Sequence, residues 1–136
     1  MNYQANVLFE TTDTYSCLSL HKCVGHTIDH LGTYKVVNDI YPGLFVSTHK
    51  DTLTETLSLL LSSIAVNNPG CSMHLTAKLV GNITLLHIKS NDAKDFSTIT
   101  KKVSKLESLA RSIGGCVTIS SNDIYGLAVA FTFRNH

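Results

Sequence analysis

The sequence predicts an α+β two-layer sandwich: a mixed, mostly antiparallel sheet with three helices on one face. Three observations carry that prediction. Segments with alternating apolar residues come in adjacent pairs, segments with apolar residues three and four apart stand between them, and glycine or proline marks most of the joints. At 136 residues the chain has the size of one domain with one continuous core, so residues 1–136 read as a single domain.

Residues 3–10 contain Val7, Leu8 and Phe9 and read as a first strand. Asp13 and Thr14 can cap a helix over residues 15–31, where Cys17, Leu20, Val24, Ile28 and Leu31 form one apolar stripe. Gly32 follows, as expected of a residue just past a helix C-terminus. Residues 34–40 are a β-branched run, Pro42 and Gly43 turn the chain, and residues 44–47 form a short strand. From Asp51 the helical period returns: Leu53, Leu57, Leu60, Leu61 and Ile64 face one way until Asn67, Asn68, Pro69 and Gly70 break the helix.

The plainest hairpin comes next. Residues 72–80 alternate Met73, Leu75, Ala77 and Leu79 with polar neighbours, Gly81 and Asn82 turn, and residues 83–89 return. A polar loop over residues 90–97 leads to a third helix over residues 98–113, with Ile99, Val103, Leu106, Leu109, Ala110 and Ile113 on one stripe. Gly114 and Gly115 stop it, and residues 116–121 and 127–133 pair around a turn at 122–126.

Composition excludes several classes. The chain is 43% hydrophobic and 15% charged, with 11 basic against 10 acidic residues, so it is globular and lacks the charge footprint of a nucleic-acid or membrane-surface binder. The longest apolar run, residues 57–66, is interrupted by serines and falls well short of the roughly 20 residues of a membrane span. Glu10 and Asp13 stand where a signal peptide would be apolar, and Cys17, Cys23, Cys71 and Cys116 form no paired motif. The expectation is a cytoplasmic protein with reduced cysteines and no metal site.

Several residues invite sharper readings. His26 and His30 lie four apart on one helix face, but no third ligand accompanies them, and they read as solvent-facing. His74 and His87 fall on the two strands of one hairpin and read as surface residues. Ser62 and Ser63 lack a nucleophile elbow and read as helix packing. Lys101, Lys102 and Lys105 form a solvated basic face, and Asn91, Asp92 and Asp95 suit the start of the third helix rather than a calcium loop.

Three stretches carry a resemblance. Residues 106–120, Leu-Glu-Ser-Leu-Ala-Arg-Ser-Ile-Gly-Gly-Cys-Val-Thr-Ile-Ser, residues 125–133, Tyr-Gly-Leu-Ala-Val-Ala-Phe-Thr-Phe, and residues 45–51, Phe-Val-Ser-Thr-His-Lys-Asp, with the leucines that follow, resemble the ATPase domain of sensor histidine kinases. That domain is shared with gyrase-type topoisomerases, heat-shock chaperones and mismatch-repair proteins. The resemblance implies a cytoplasmic two-component signalling protein.

It also places the nucleotide site. Ser63 stands where the family has its magnesium-binding asparagine and Val66 where a lysine often follows; Ser90 replaces the adenine-reading aspartate, and Asp92 and Lys94 replace two glycines. The glycine-rich lid is absent, because no glycine lies between Gly81 and Gly114. The phosphoacceptor motif is missing as well, which leaves His21 and His26 as ordinary helix residues. The resemblance, with these departures, implies a degenerate, non-catalytic signalling or docking domain with no cofactor. Its partner is then a protein of the pathway, a histidine kinase or a response regulator, with a homodimer also open. The alternative is the C-terminal catalytic fragment of a histidine kinase that binds nucleotide through an altered pocket. On the degenerate reading, Ile64, Val66 and Phe96 fill the vacated cleft.

Overall fold

The computed structural model describes residues 15–32, 35–65, 70–91, 96–122 and 126–136. The expected strand over residues 3–10 and the caps Asp13 and Thr14 lie outside them. In chain order the elements are β1 (Ser16–Ser19), α1 (Leu20–Asp29), β2 (Lys35–Asn38), β3 (Phe45–Thr48), α2 (Lys50–Ala65), β4 (Ser72–Val80), β5 (Ile83–Ser90), α3 (Phe96–Ser104), α4 (Glu107–Arg111), β6 (Cys116–Asn122) and β7 (Gly126–Arg134). Strands β2, β4, β5, β7 and β6 form one five-stranded sheet in that order, and β1 pairs with β3 apart from it. Within the large sheet β2 runs parallel to β4 and every other pairing is antiparallel. The fold is thus α+β with a mixed sheet, as the sequence predicts.

The core lies between the sheet and the helices. Leu53, Leu57, Leu60, Leu61 and Ile64 of α2 are fully buried, and so are Leu75, Leu86, Val129, Phe131 and Phe133 of the sheet. Alternation works as a strand requires: β7 buries Leu127, Val129, Phe131 and Phe133 while the residues between them stay half-exposed. Phe131 and Phe133 meet at 5.2 Å between ring centres. The hairpin of β4 and β5 pairs Val80 with Ile83 across the turn at Gly81 and Asn82, in the register that the alternation implies.

Two elements differ from the sequence reading. Residues 16–19 are not the first turn of the helix but a strand, with Cys17 opposite Ser47 and Leu18 opposite Val46. Cys17 fits the helical stripe yet is exposed. Pairing with β3 outweighs the local periodicity, and the cap passes to Ser19, whose hydroxyl accepts the Lys22 N–H at 3.4 Å.

The expected third helix is two. At Lys105 and Leu106 the bonding shifts to three-residue spacing, Lys105 to the Lys102 carbonyl at 3.3 Å and Leu106 to the Val103 carbonyl at 2.9 Å. Val103, Leu106, Ala110 and Ile113 nonetheless all remain buried, and only Leu109 of the expected stripe is half-exposed.

The small sheet is tied down from the C-terminal side. Tyr15, beside β1, stacks on His136 at 4.2 Å and meets His49 at 4.4 Å between ring centres, while the His136 N–H donates to the Ser47 carbonyl at 2.9 Å.

Because Leu60 and Leu106 are buried on facing elements, replacing either with alanine is expected to cost about 2–5 kcal/mol in urea unfolding. A loss below about 1 kcal/mol at both positions would contradict this packing.

Candidate functional site

α2 carries the first of the implied site positions. Ser63 lies in its last turns and is 8% exposed. Its hydroxyl donates to the Leu59 carbonyl one turn back at 2.6 Å, and Ser62 donates to the same carbonyl at 3.2 Å. Both serine hydroxyls therefore spend their proton on their own helix. Beside them the helices part, leaving a cleft of about 310 Å³ lined by Leu59, Ser62, Ser63, Lys102, Lys105 and Leu106. Its walls are two leucines and two helix-bound serines, and its unspent polar groups are the two ammonium groups. Among the described residues neither lysine has a carboxylate within ion-pairing distance.

Phe96 and Ile64 do not fill this cleft. Phe96 is 39% exposed. It stands in the first turn of α3, one turn before the buried Ile99, where the apolar stripe runs past the packed layer. Ile64 is spent on the core, and Val66 lies outside the described residues. Long lysine stems form the opposite wall and keep their charged ends in water, so the cleft stays open.

Ser90 ends β5 opposite Leu127 of β7 and is 1% exposed. Its hydroxyl has no hydrogen-bond partner among the described residues. The backbone crowds it: Gly126 opens β7 at φ 79°, and a Cβ there would run into the Ser90 carbonyl oxygen. Only glycine allows that approach. Asp92 and Lys94 lie outside the described residues. Of the four implied positions, Ser63 and Ser90 are thus placed, and the cleft beside Ser63 does not include Ser90.

The other residues that the sequence brought forward have local uses. The His30 ring bonds the His26 carbonyl at 2.8 Å, and the His21 ring bonds the Ile40 carbonyl at 2.8 Å. His74 sits opposite Lys89 rather than His87, and its ring lies 3.2 Å from the Asp39 carboxylate. His87 faces Thr76. No group of three or more His, Cys, Asp or Glu among the described residues is arranged to hold a metal ion. Sequence reasoning missed that Lys102 and Lys105 face Ser63. Their three-residue spacing puts them on one helix face, but nothing local shows that this face abuts α2.

With this geometry the fold is that of the histidine-kinase-type ATPase. The *Acinetobacter baumannii* histidine kinase AdeS superposes with a TM-score of 0.70 at 9% identity, over 90% of this chain and 68% of that one. The catalytic domain of histidine kinase ThkA superposes with a TM-score of 0.71 at 9% identity, over 89% and 97%. The ATP-binding domain of PrrB from *Mycobacterium tuberculosis* gives a TM-score of 0.69 at 9% identity, over 91% and 99%. No family model matches the sequence, and no curated protein matches it. No helix among the described residues is long and apolar enough to cross a membrane.

Ser90 and Gly126 give opposite expectations in urea unfolding. Ser90→Ala removes a buried hydroxyl without a described partner, so stability should stay within about 1 kcal/mol of the parent or rise. Gly126→Ala forces a side chain into a positive-φ position against a backbone oxygen and should cost about 1–3 kcal/mol. A loss above about 2 kcal/mol for Ser90→Ala would mean that its hydroxyl is bonded.

Proposed function

We propose that the chain is one degenerate domain of the histidine-kinase ATPase fold that acts as a non-catalytic signalling or docking module in a two-component pathway. One observation carries this reading: at the position that the resemblance assigns to the magnesium-binding asparagine, the Ser63 hydroxyl is bonded to Leu59 at 2.6 Å. A donating hydroxyl keeps its lone pairs, but this bond turns the short side chain back along its own helix at 8% exposure, without the reach that a magnesium ligand needs. Ser90 supports the same reading, since at 1% exposure it is closed to an adenine ring. Of the implied positions that are described, neither Ser63 nor Ser90 suits a magnesium nucleotide.

The partner that suits this role is a protein of the same pathway, a histidine kinase or a response regulator. Histidine kinase ThkA, whose structure in complex with response regulator TrrA matches 97% of this chain at a TM-score of 0.69 and 9% identity, provides the analogy.

A second reading has its own observation. The open cleft at Ser63, with Lys102 and Lys105 on its wall, offers positive charge where the metal is not held. A nucleotide bound there would use ammonium groups in place of magnesium.

A thermal-shift series with millimolar ATP, with and without magnesium, separates the two. The docking reading expects no shift in either condition. A site filled to a hundred times its dissociation constant would add about 2.7 kcal/mol, a shift of several degrees. A magnesium-independent shift that disappears in Lys102→Glu/Lys105→Glu would establish the second reading, and a magnesium-dependent shift would overturn both.

A further inference from the structure

A second cleft, of about 330 Å³, opens at the other end of α2. It lies between α1 with its cap and the first turns of α2, with Ser19, Lys22, Cys23 and His26 on one side and Lys50 and Thr54 on the other. None of these residues is among the positions implied for the nucleotide. Its volume is within the roughly 300–1,000 Å³ of small-molecule sites.

Its polar groups sort into two sets. The hydroxyls are committed: Ser19 accepts the Lys22 N–H at 3.4 Å and lies 3.3 Å from the Pro42 carbonyl, and Thr54 donates to the Lys50 carbonyl at 2.8 Å. The nitrogen groups are not. The side chains of Lys22, His26 and Lys50 are exposed and make no ion pair among the described residues. No carboxylate lines the cleft, and the nearby Asp29, Asp51 and Glu55 are exposed residues outside its wall. The floor is apolar, built from half-buried Leu18 and from Cys23. Burial pushes the Cys23 thiol above its ordinary value, although the Thr54 hydroxyl and the Lys50 charge pull the other way. The thiol is therefore uncharged near neutral pH and does not offset the cations.

We infer that this cleft binds a small organic anion, a carboxylate or phosphate group carried on an apolar body, with Lys22, His26 and Lys50 around the charged group and Leu18 and Cys23 beneath the apolar part. A bare inorganic ion would leave the floor wet. A neutral molecule would forgo the charge-assisted contacts that three exposed nitrogen groups offer.

Cys23 reports on occupancy. In the full chain carrying Cys17→Ser and Cys116→Ser, Cys71 is buried, so iodoacetamide reads mainly Cys23. Phenyl phosphate at millimolar concentration is expected to slow its alkylation at least about fivefold, saturably, and less strongly as salt rises because the contact is ionic. Benzyl alcohol at the same concentration should not protect. Lys22→Glu/Lys50→Glu should abolish protection, and Lys102→Glu/Lys105→Glu should preserve it, which separates this cleft from the one at Ser63. Salt sensitivity in the unaltered lysine background keeps the test decisive if the charge-reversed variant unfolds. Absence of protection, equal protection by benzyl alcohol, equal protection by inorganic phosphate, or protection indifferent to salt would each overturn the proposal.

Discussion

The packing of α2 against the sheet is the contact on which the rest depends. Five of its apolar side chains, Leu53, Leu57, Leu60, Leu61 and Ile64, are fully withdrawn from water, each worth about 1.5–3 kcal/mol relative to exposure. α1, α3 and α4 all contact this helix, so its position sets theirs. Both clefts follow from that arrangement. Each opens where a neighbouring helix leaves α2, one near the first turn and one near the last.

The same helix explains why a hydroxyl-rich sequence offers so little chemistry. Thr54, Thr56, Ser62 and Ser63 each donate to a carbonyl of their own helix, three or four residues back. Such bonds let a polar residue sit at or near a helix–sheet interface without leaving a donor unmet. They also remove the proton that would greet a ligand. At the two clefts the lysine donors are Lys22, Lys50, Lys102 and Lys105, whose long stems reach past the helical layer.

Much of the fold was legible from periodicity, because burial on one face forces it. The β4–β5 hairpin, α2 and β7 alternate or repeat as their environments demand, and their bounds emerge within a residue or two. The failures share a cause. Residues 16–19 satisfy a helical stripe through Cys17, yet a partner strand almost thirty positions away claims them. The break at Lys105 and Leu106 carries no glycine or proline to announce it. At the candidate site, the presence of a serine at position 63 could be read from the sequence. The direction of its hydroxyl, the openness beside it and the exposure of Phe96 are tertiary facts with no local trace.

The parallel pairing of β2 with β4 has a kinetic side. The strands of the β4–β5 and β6–β7 pairs are only a few residues apart in the chain, so each can register locally. β2 meets β4 only after the chain has travelled through β3 and the whole of α2, with Lys35 finally opposite Ser72. That crossover encloses a long loop, comparable with the one between β5 and β7, and its closure entropy must be met before the edge strand gains a single ladder bond. β2 is also short, with four residues to repay that cost. The docking of α2 shortens the search by bringing the two ends of the loop together, so the helix that fills the core also acts as the splint on which the sheet edge is assembled.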